Sequence, residues 1–185
     1  MKKLNIGLLG GTFDPPHFGH LYISTKAIKT IGLDCIWWVV AKQNPLKEQS
    51  SSMINRVNLA KGISKFSNKI HVIDIEKAVK KSYSYNTVVL LKQKFPHINF
   101  IWIMGSDNLT SIHKWYRWQE FCKIVPIAIF ERSKLYKEIK CPFVSCFSSF
   151  YVRDPKLLLD GPPSWSIIRM KVNPISSSMI RLLTY

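Results

Sequence analysis

Acidic side chains are scarce in this sequence: eleven Asp and Glu stand against twenty-seven Lys and Arg in 185 residues, a formal net charge of +16. Such an excess points to an anionic partner, whether nucleic acid, a membrane surface or a small phosphorylated metabolite. The lysines, however, are scattered (26, 29, 42, 47, 61, 65, 69, 77, 80 and 81) as on a solvated face, which argues against nucleic acid as the main partner. Apolar runs of membrane-spanning length are missing, and so are internal repeats and low-complexity tracts. The apolar stretch behind Met1-Lys2-Lys3 ends at Gly10-Gly11 after six residues, too short for a signal peptide, so a cytoplasmic protein is expected. Four cysteines, at 35, 122, 141 and 146, form no C-x-x-C pair and no zinc-ligand spacing. They read as reduced structural thiols, and no protein metal site is expected. Neither a G-x-x-x-x-G-K-[ST] loop nor a G-x-G-x-x-G fingerprint occurs.

What is present is a well-stocked core. Hydrophobic residues make up 46% and aromatics 12%, which excludes disorder and suits one domain over residues 1–185. Strand-like apolar runs at 4–9, 35–41, 70–75, 99–104 and 124–130 alternate with helical periods at 18–31, 53–66, 84–95 and 115–122. Residues 143–152 and 167–172 read as further strands, and 176–183 as a closing helix. Alternation of this kind predicts an α/β fold, a Rossmann-like doubly wound, mostly parallel sheet with helices on both faces. Ligands of such sheets sit at the carboxyl ends of the strands.

That rule draws attention to GGTFDPPHFGH, residues 10–20, at the exit of the first strand. Gly10 and Gly11 let the backbone turn and approach a ligand. Thr12 or Asp14 is positioned to bond local amides, and Pro15-Pro16 stiffens the way into the next helix. His17 and His20, three apart in its first turn, can face one side, with exposed rings and with the amides and positive potential of the helix start beside them. Turn, imidazoles and helix end together suit a phosphate.

The same stretch resembles the first motif of bacterial nicotinate-nucleotide adenylyltransferase, in the superfamily of nucleotidyltransferases with an H-x-G-H element. The resemblance implies that Gly10, Gly11, Thr12, Phe13, His17 and His20 bind ATP. NPISSSMIRLL, 173–183, is similar to that family's I-S-S-T/S-x-I-R element, implying that residues 173–185 form a short nucleotide-binding helix holding the triphosphate through Ser177, Ser178 and Arg181. SYSYNTV, 82–88, resembles S-Y-T-x-x-T-L, with Tyr83, Ser84 and Thr87 around the nicotinate nucleotide; Ser84 replaces the usual threonine but keeps the hydroxyl. MGSDNLTSIHKWYRW, 104–118, resembles G-x-D-N-L…W, which implies Asp107 facing the ribose or its metal environment, Trp115 on the pyridine ring and Tyr116 near its carboxylate. NPLK, 44–47, resembles the family's loop after the second strand, implying that Asn44 contacts substrate and Lys47 a phosphate.

The resemblance implies transfer of the adenylyl group of ATP to nicotinate mononucleotide, giving deamido-NAD and pyrophosphate in NAD biosynthesis. His17, His20, Lys47 and Arg181 would offset the developing charge, with Mg²⁺ accompanying ATP. Neither nucleic acid nor membrane is expected as a partner, and a homo-oligomer stays open. Pantetheine-phosphate adenylyltransferase, which shares the first motif, is the nearest alternative; a basic nucleic-acid-binding module is the alternative from another class. On this reading Arg181→Ala raises the KM for ATP and lowers kcat together, and Arg181→Lys restores activity only in part because a point charge lacks the guanidinium fork. Steady-state kinetics in ATP check this; a lysine variant equal to wild type would rule out the fork.

Overall fold

The computed structural model describes residues 3–42, 51–79, 81–131 and 141–170. In chain order it contains β1 (Leu4–Gly11), α1 (Phe18–Ala27), β2 (Cys35–Val40), α2 (Met53–Ser64), β3 (Ile70–Ile73), α3 (Ser84–Lys94), β4 (Ile98–Gly105), α4 (Trp118–Ile124), β5 (Ile127–Phe130), α5 (Pro142–Phe147) and β6 (Trp165–Ile168). The strands pair parallel throughout, in the order β3-β2-β1-β4-β5-β6. After β3 the chain crosses the whole half-sheet to lay β4 beside β1, so the order reverses between β1 and β4.

Continuous apolar strands follow from burial on both faces. Phe100, Trp102 and Met104 of β4 and Ile127 and Ile129 of β5 pack on one side, with Val88 and Leu91 of α3, Phe121 of α4 and Phe143 and Phe147 of α5. Ile101, Ile103, Ala128 and Phe130 face the other side, with Ile23 and Ala27 of α1 and Val57 and Ala60 of α2. The expected α/β doubly wound sheet is therefore present.

Several boundaries differ from the sequence reading: the strand expected at 167–172 is Trp165–Ile168, and the one expected at 124–130 begins at Ile127 because Ile124 ends α4. Residues 143–152 are not a strand: they form α5 and a 3₁₀ turn, Ser148–Phe150, and only Tyr151 bridges to Trp165. Pro142 at the first helical position has its φ set for a helix start, and Phe143 and Phe147, four apart, stack at 5.7 Å against the core. The helix expected at 18–31 stops at Ala27 and widens into a π turn, Ile28–Gly32. The one expected at 115–122 starts at Trp118, because Arg117 adopts a left-handed φ of 52°. The closing helix at 176–183 lies outside the described residues.

Gly7 lies at a point of close packing on the sheet. A Cβ there would run into the Cδ1 methyls of Ile36, Ile103 and Leu33. Gly7→Ala should lower stability by about 1–3 kcal/mol through overpacking, read as a lower urea midpoint at unchanged m; an unchanged midpoint would mean that these three methyls yield freely.

Candidate active site

β1 delivers Gly10, Gly11 and Thr12 to the carboxyl edge of the sheet, where the strand order reverses. Gly10 is there for closeness: a Cβ would lie 2.5–2.6 Å from the Trp102 indole on the neighbouring β4. The sharp turn itself falls to Phe13, at a left-handed φ of 52°, rather than to a glycine. Burial holds it there, since its ring is 1% exposed, stacks on Trp38 at 5.1 Å and lies 4.7 Å from His20. Asp14 reaches further than the sequence suggested. Its carboxylate accepts the Ser51 N–H (3.1 Å) and hydroxyl (2.6 Å), thirty-seven residues away, and so ties this loop to the start of α2.

His17 and His20 start α1 as a reciprocal cap. The Gly19 N–H donates to His17 Nδ1 at 3.0 Å, and the His17 N–H donates to His20 Nδ1 at 3.2 Å. A backbone N–H can only donate, so both Nδ1 atoms are acceptors and each neutral ring carries its hydrogen on Nε2. The pair is thereby set as two Nε2–H donors, ring centroids 4.0 Å apart, beside a helix N-terminus. The expectation of exposed rings does not hold: they are 5% and 9% exposed. Beneath them, Trp38 Nε1 donates to Ser24 Oγ, which donates to the His20 carbonyl, both at 2.8 Å.

A cleft of about 500 Å³ opens at the same edge. Its floor is Gly10, Gly11 and Thr12 with Val39, Trp102 and Met104, the strand ends that pack toward α3 and α4. Its far wall is aromatic. Tyr83 precedes α3 and stacks on Tyr116 at 4.7 Å, and Trp115 meets Trp102 edge-on at 6.4 Å; behind this lining Arg117 covers the Tyr85 ring at 4.5 Å. Phe13 and Trp38, which hold the imidazoles, belong to the opposite core. Gly10–Thr12 thus form a narrow saddle with the histidine pair on one side of the sheet and the aromatic cleft on the other.

Of the residues singled out in the sequence, Gly10, Gly11, Thr12, Tyr83, Ser84, Trp115 and Tyr116 line the cleft, while Phe13, His17 and His20 do not. Thr87 is fully buried, its hydroxyl donating to Glu76 Oε1 at 3.1 Å. Asp107 is exposed, and its neighbour Asn108 lines the cleft instead. Asn44, Lys47, Ser177, Ser178 and Arg181 lie outside the described residues. The cysteines are free thiols, and burial pushes Cys122 up to about 12, in keeping with an inert structural role.

Sequence reasoning missed two charged residues. Glu76, 5% exposed, lines the cleft and accepts from the Lys42 N–H (2.8 Å), Ser82 Oγ and Thr87 Oγ1. Arg56 is buried and directs its guanidinium at four carbonyls. Burial lowers its pKa, opposed by the charges of Asp14 and Glu76. A signal for Arg56 existed: it stands three residues after Met53 and four before Ala60, on the apolar stripe of α2. For Glu76 none was visible.

A saddle of glycines at the order reversal, next to a helix start, marks a nucleotide-binding α/β protein, and residues 8–183 match the family described as Cytidylyltransferase-like. Probable nicotinate-nucleotide adenylyltransferases of Rhizobium etli and Agrobacterium fabrum are 36% and 35% identical over 182 residues, spanning 95% of this chain and 94% and 97% of theirs. The solved structure of Plasmodium falciparum nicotinic acid mononucleotide adenylyltransferase complexed with NaAD shares the fold, with a TM-score of 0.74 at 23% identity over 97% of this chain and 83% of that one. The chain belongs to the cytidylyltransferase-like family and, within it, to the nicotinate-nucleotide adenylyltransferases.

The capping by the two histidines can be separated from the phosphate donation expected of them. His17→Asn keeps a good N-cap acceptor and His20→Gln keeps the capping-box acceptor, so helix content should stay at wild type. Adenylyl transfer should nonetheless fall by about 10²–10³-fold for each, the usual cost of one charge-stabilising donor, because an amide whose oxygen caps the helix does not place its NH₂ where the ring Nε2–H stands. Near-normal turnover in variants with wild-type circular dichroism would remove both imidazoles from the chemistry.

Proposed function

We propose that this chain transfers the adenylyl group of ATP to nicotinate mononucleotide, releasing deamido-NAD and pyrophosphate, as the names of its relatives describe for those proteins. The observation that carries this reading is the saddle: one glycine edge with an anion-suited helix start on one side and an aromatic cleft on the other. ATP phosphates would cross Gly10–Thr12 toward His17 and His20, and the pyridine nucleotide would fill the cleft against Trp115.

An oxygen of the acceptor's 5′-phosphate attacks the α-phosphorus in line. The bond from that phosphorus to the bridging oxygen breaks, and its electron pair leaves on pyrophosphate. No protein nucleophile is needed; positioning and neutralisation of charge do the work. The Nε2–H groups of His17 and His20 donate to phosphate oxygens, while Lys47, Ser177, Ser178 and Arg181 are assigned to the triphosphate by the family resemblance alone. Among the described residues no group of three or more His, Cys, Asp and Glu side chains is arranged to hold a metal. In this reading Mg²⁺ arrives on the ATP phosphates, as part of the substrate. It also takes residues 1–185 as one domain closed by a helix at 173–185, acting in the cytoplasm; no described helix is long and apolar enough to cross a membrane.

Pyrophosphate release with a panel of acceptors tests the activity: turnover is expected with nicotinate mononucleotide, and turnover with phosphopantetheine alone would replace this reading by its nearest alternative. Selectivity follows from the donors available. Tyr83 provides no side-chain cap, so the first N–H groups of α3, beside Ser84 in the cleft wall, suit a carboxylate. An amide offered only donors leaves its NH₂ unpaired, at about 1–3 kcal/mol, so the acid should be preferred over nicotinamide mononucleotide by at least about tenfold in kcat/KM. Trp115→Ala should depress both acceptors alike, because stacking ignores the substituent. Equal use of the two acceptors by wild type would sink the carboxylate assignment alone.

A further inference from the structure

The adenylyl-transfer reading leaves Arg56 without a role, and the role inferred for this arginine rests on that reading. Its side chain is among the largest fully buried ones. Nε donates to the Ser51 carbonyl (2.9 Å), Nη1 to those of Thr12 and Ala41 (2.7 Å each), and Nη2 to that of Lys42 (2.9 Å). Two of these acceptors, Thr12 and Ala41, belong to residues that line the cleft. The two carboxylates nearest in charge complete a symmetrical grip. Glu76 takes the Lys42 N–H, and Asp14 takes the Ser51 N–H and hydroxyl. Lys42 and Ser51, the described residues on either side of 43–50, are thus each held at the N–H by a carboxylate and at the carbonyl by one guanidinium.

A site that needed only filling would be served as well by an apolar side chain, since a buried charge is costly to desolvate. Four main-chain carbonyls in three separate segments instead require a rigid, planar set of donors, which arginine has and lysine lacks. We propose that Arg56 is a positioning residue for adenylyl transfer, fixing the saddle at Thr12 and the cleft wall at Ala41 in the relative placement that in-line attack requires. It touches neither substrate; it acts through the backbone that does.

Arg56→Lys separates positioning from bulk stability. A purely structural arginine would cost folded yield while leaving kcat per folded molecule at wild type. A positioning arginine should instead show, in folded protein, a kcat lowered by up to about 10²-fold, the scale of a 1 Å misplacement. The KM values for ATP and nicotinate mononucleotide should stay within about threefold, because the direct contacts survive. Asp14→Asn, which weakens the grip on Ser51 with Arg56 intact, should give a smaller loss of the same kind, and it decides the matter if Arg56→Lys yields no folded protein. Wild-type kcat in the folded variants overturns the positioning role and leaves the transfer reading standing. A wild-type protein that releases no pyrophosphate with nicotinate mononucleotide overturns both.

Discussion

Parallel pairing of every strand forces each strand-to-helix loop onto one edge of the sheet. That constraint brings together residues as distant in sequence as Gly10, Ala41, Glu76, Ser84 and Trp115. The reversal of order between β1 and β4 then opens a crevice where loops diverge to opposite faces. Without it the helix carrying His17 and His20 and the wall carrying Tyr83 and Tyr116 would share one side, and no saddle would separate them. Glycine at position 10 follows from the same geometry, because Trp102 of β4 occupies the space that a side chain would need.

In the proposed reading, stability and chemistry share groups. Each histidine cap spends one ring nitrogen on the backbone and keeps the other as a donor, so the tautomer suited to phosphate is fixed by folding itself. Asp14 and Glu76 likewise serve as hydrogen-bond acceptors for main-chain groups at the rim of the cleft. In a chain with only eleven acidic residues, two of them are committed to holding loops in place.

Much of the fold and of the site's edge is legible in the sequence because it rests on local pattern. Alternating apolar runs and helical stripes mark the sheet, and GGTFDPPHFGH announces its edge. What escapes depends on distance in space. Asp14 looks like a local turn residue and instead binds Ser51; Thr87 looks like a substrate contact and is buried against Glu76. The segment from Phe143 reads as a strand because aromatics favour strands, but Pro142 and the spacing of Phe143 and Phe147 commit it to a helix. Arg56 stands on an apolar stripe, yet nothing local says which carbonyls it meets.

Two of the six tryptophans, Trp102 and Trp115, line the cleft, and they lie edge-on to one another. In the proposed reading the pyridine ring of the acceptor would enter that space and stand as an electron acceptor beside both indoles. The protein therefore carries its own optical reporter. If the pyridine nucleotide enters as proposed, intrinsic emission excited at the indole band should fall as the cleft fills, in a titration that needs neither label nor turnover. Trp38, whose ring lies 6.0 Å from that of His20, stands on the imidazole side of the saddle, so each half of the site has an indole beside it.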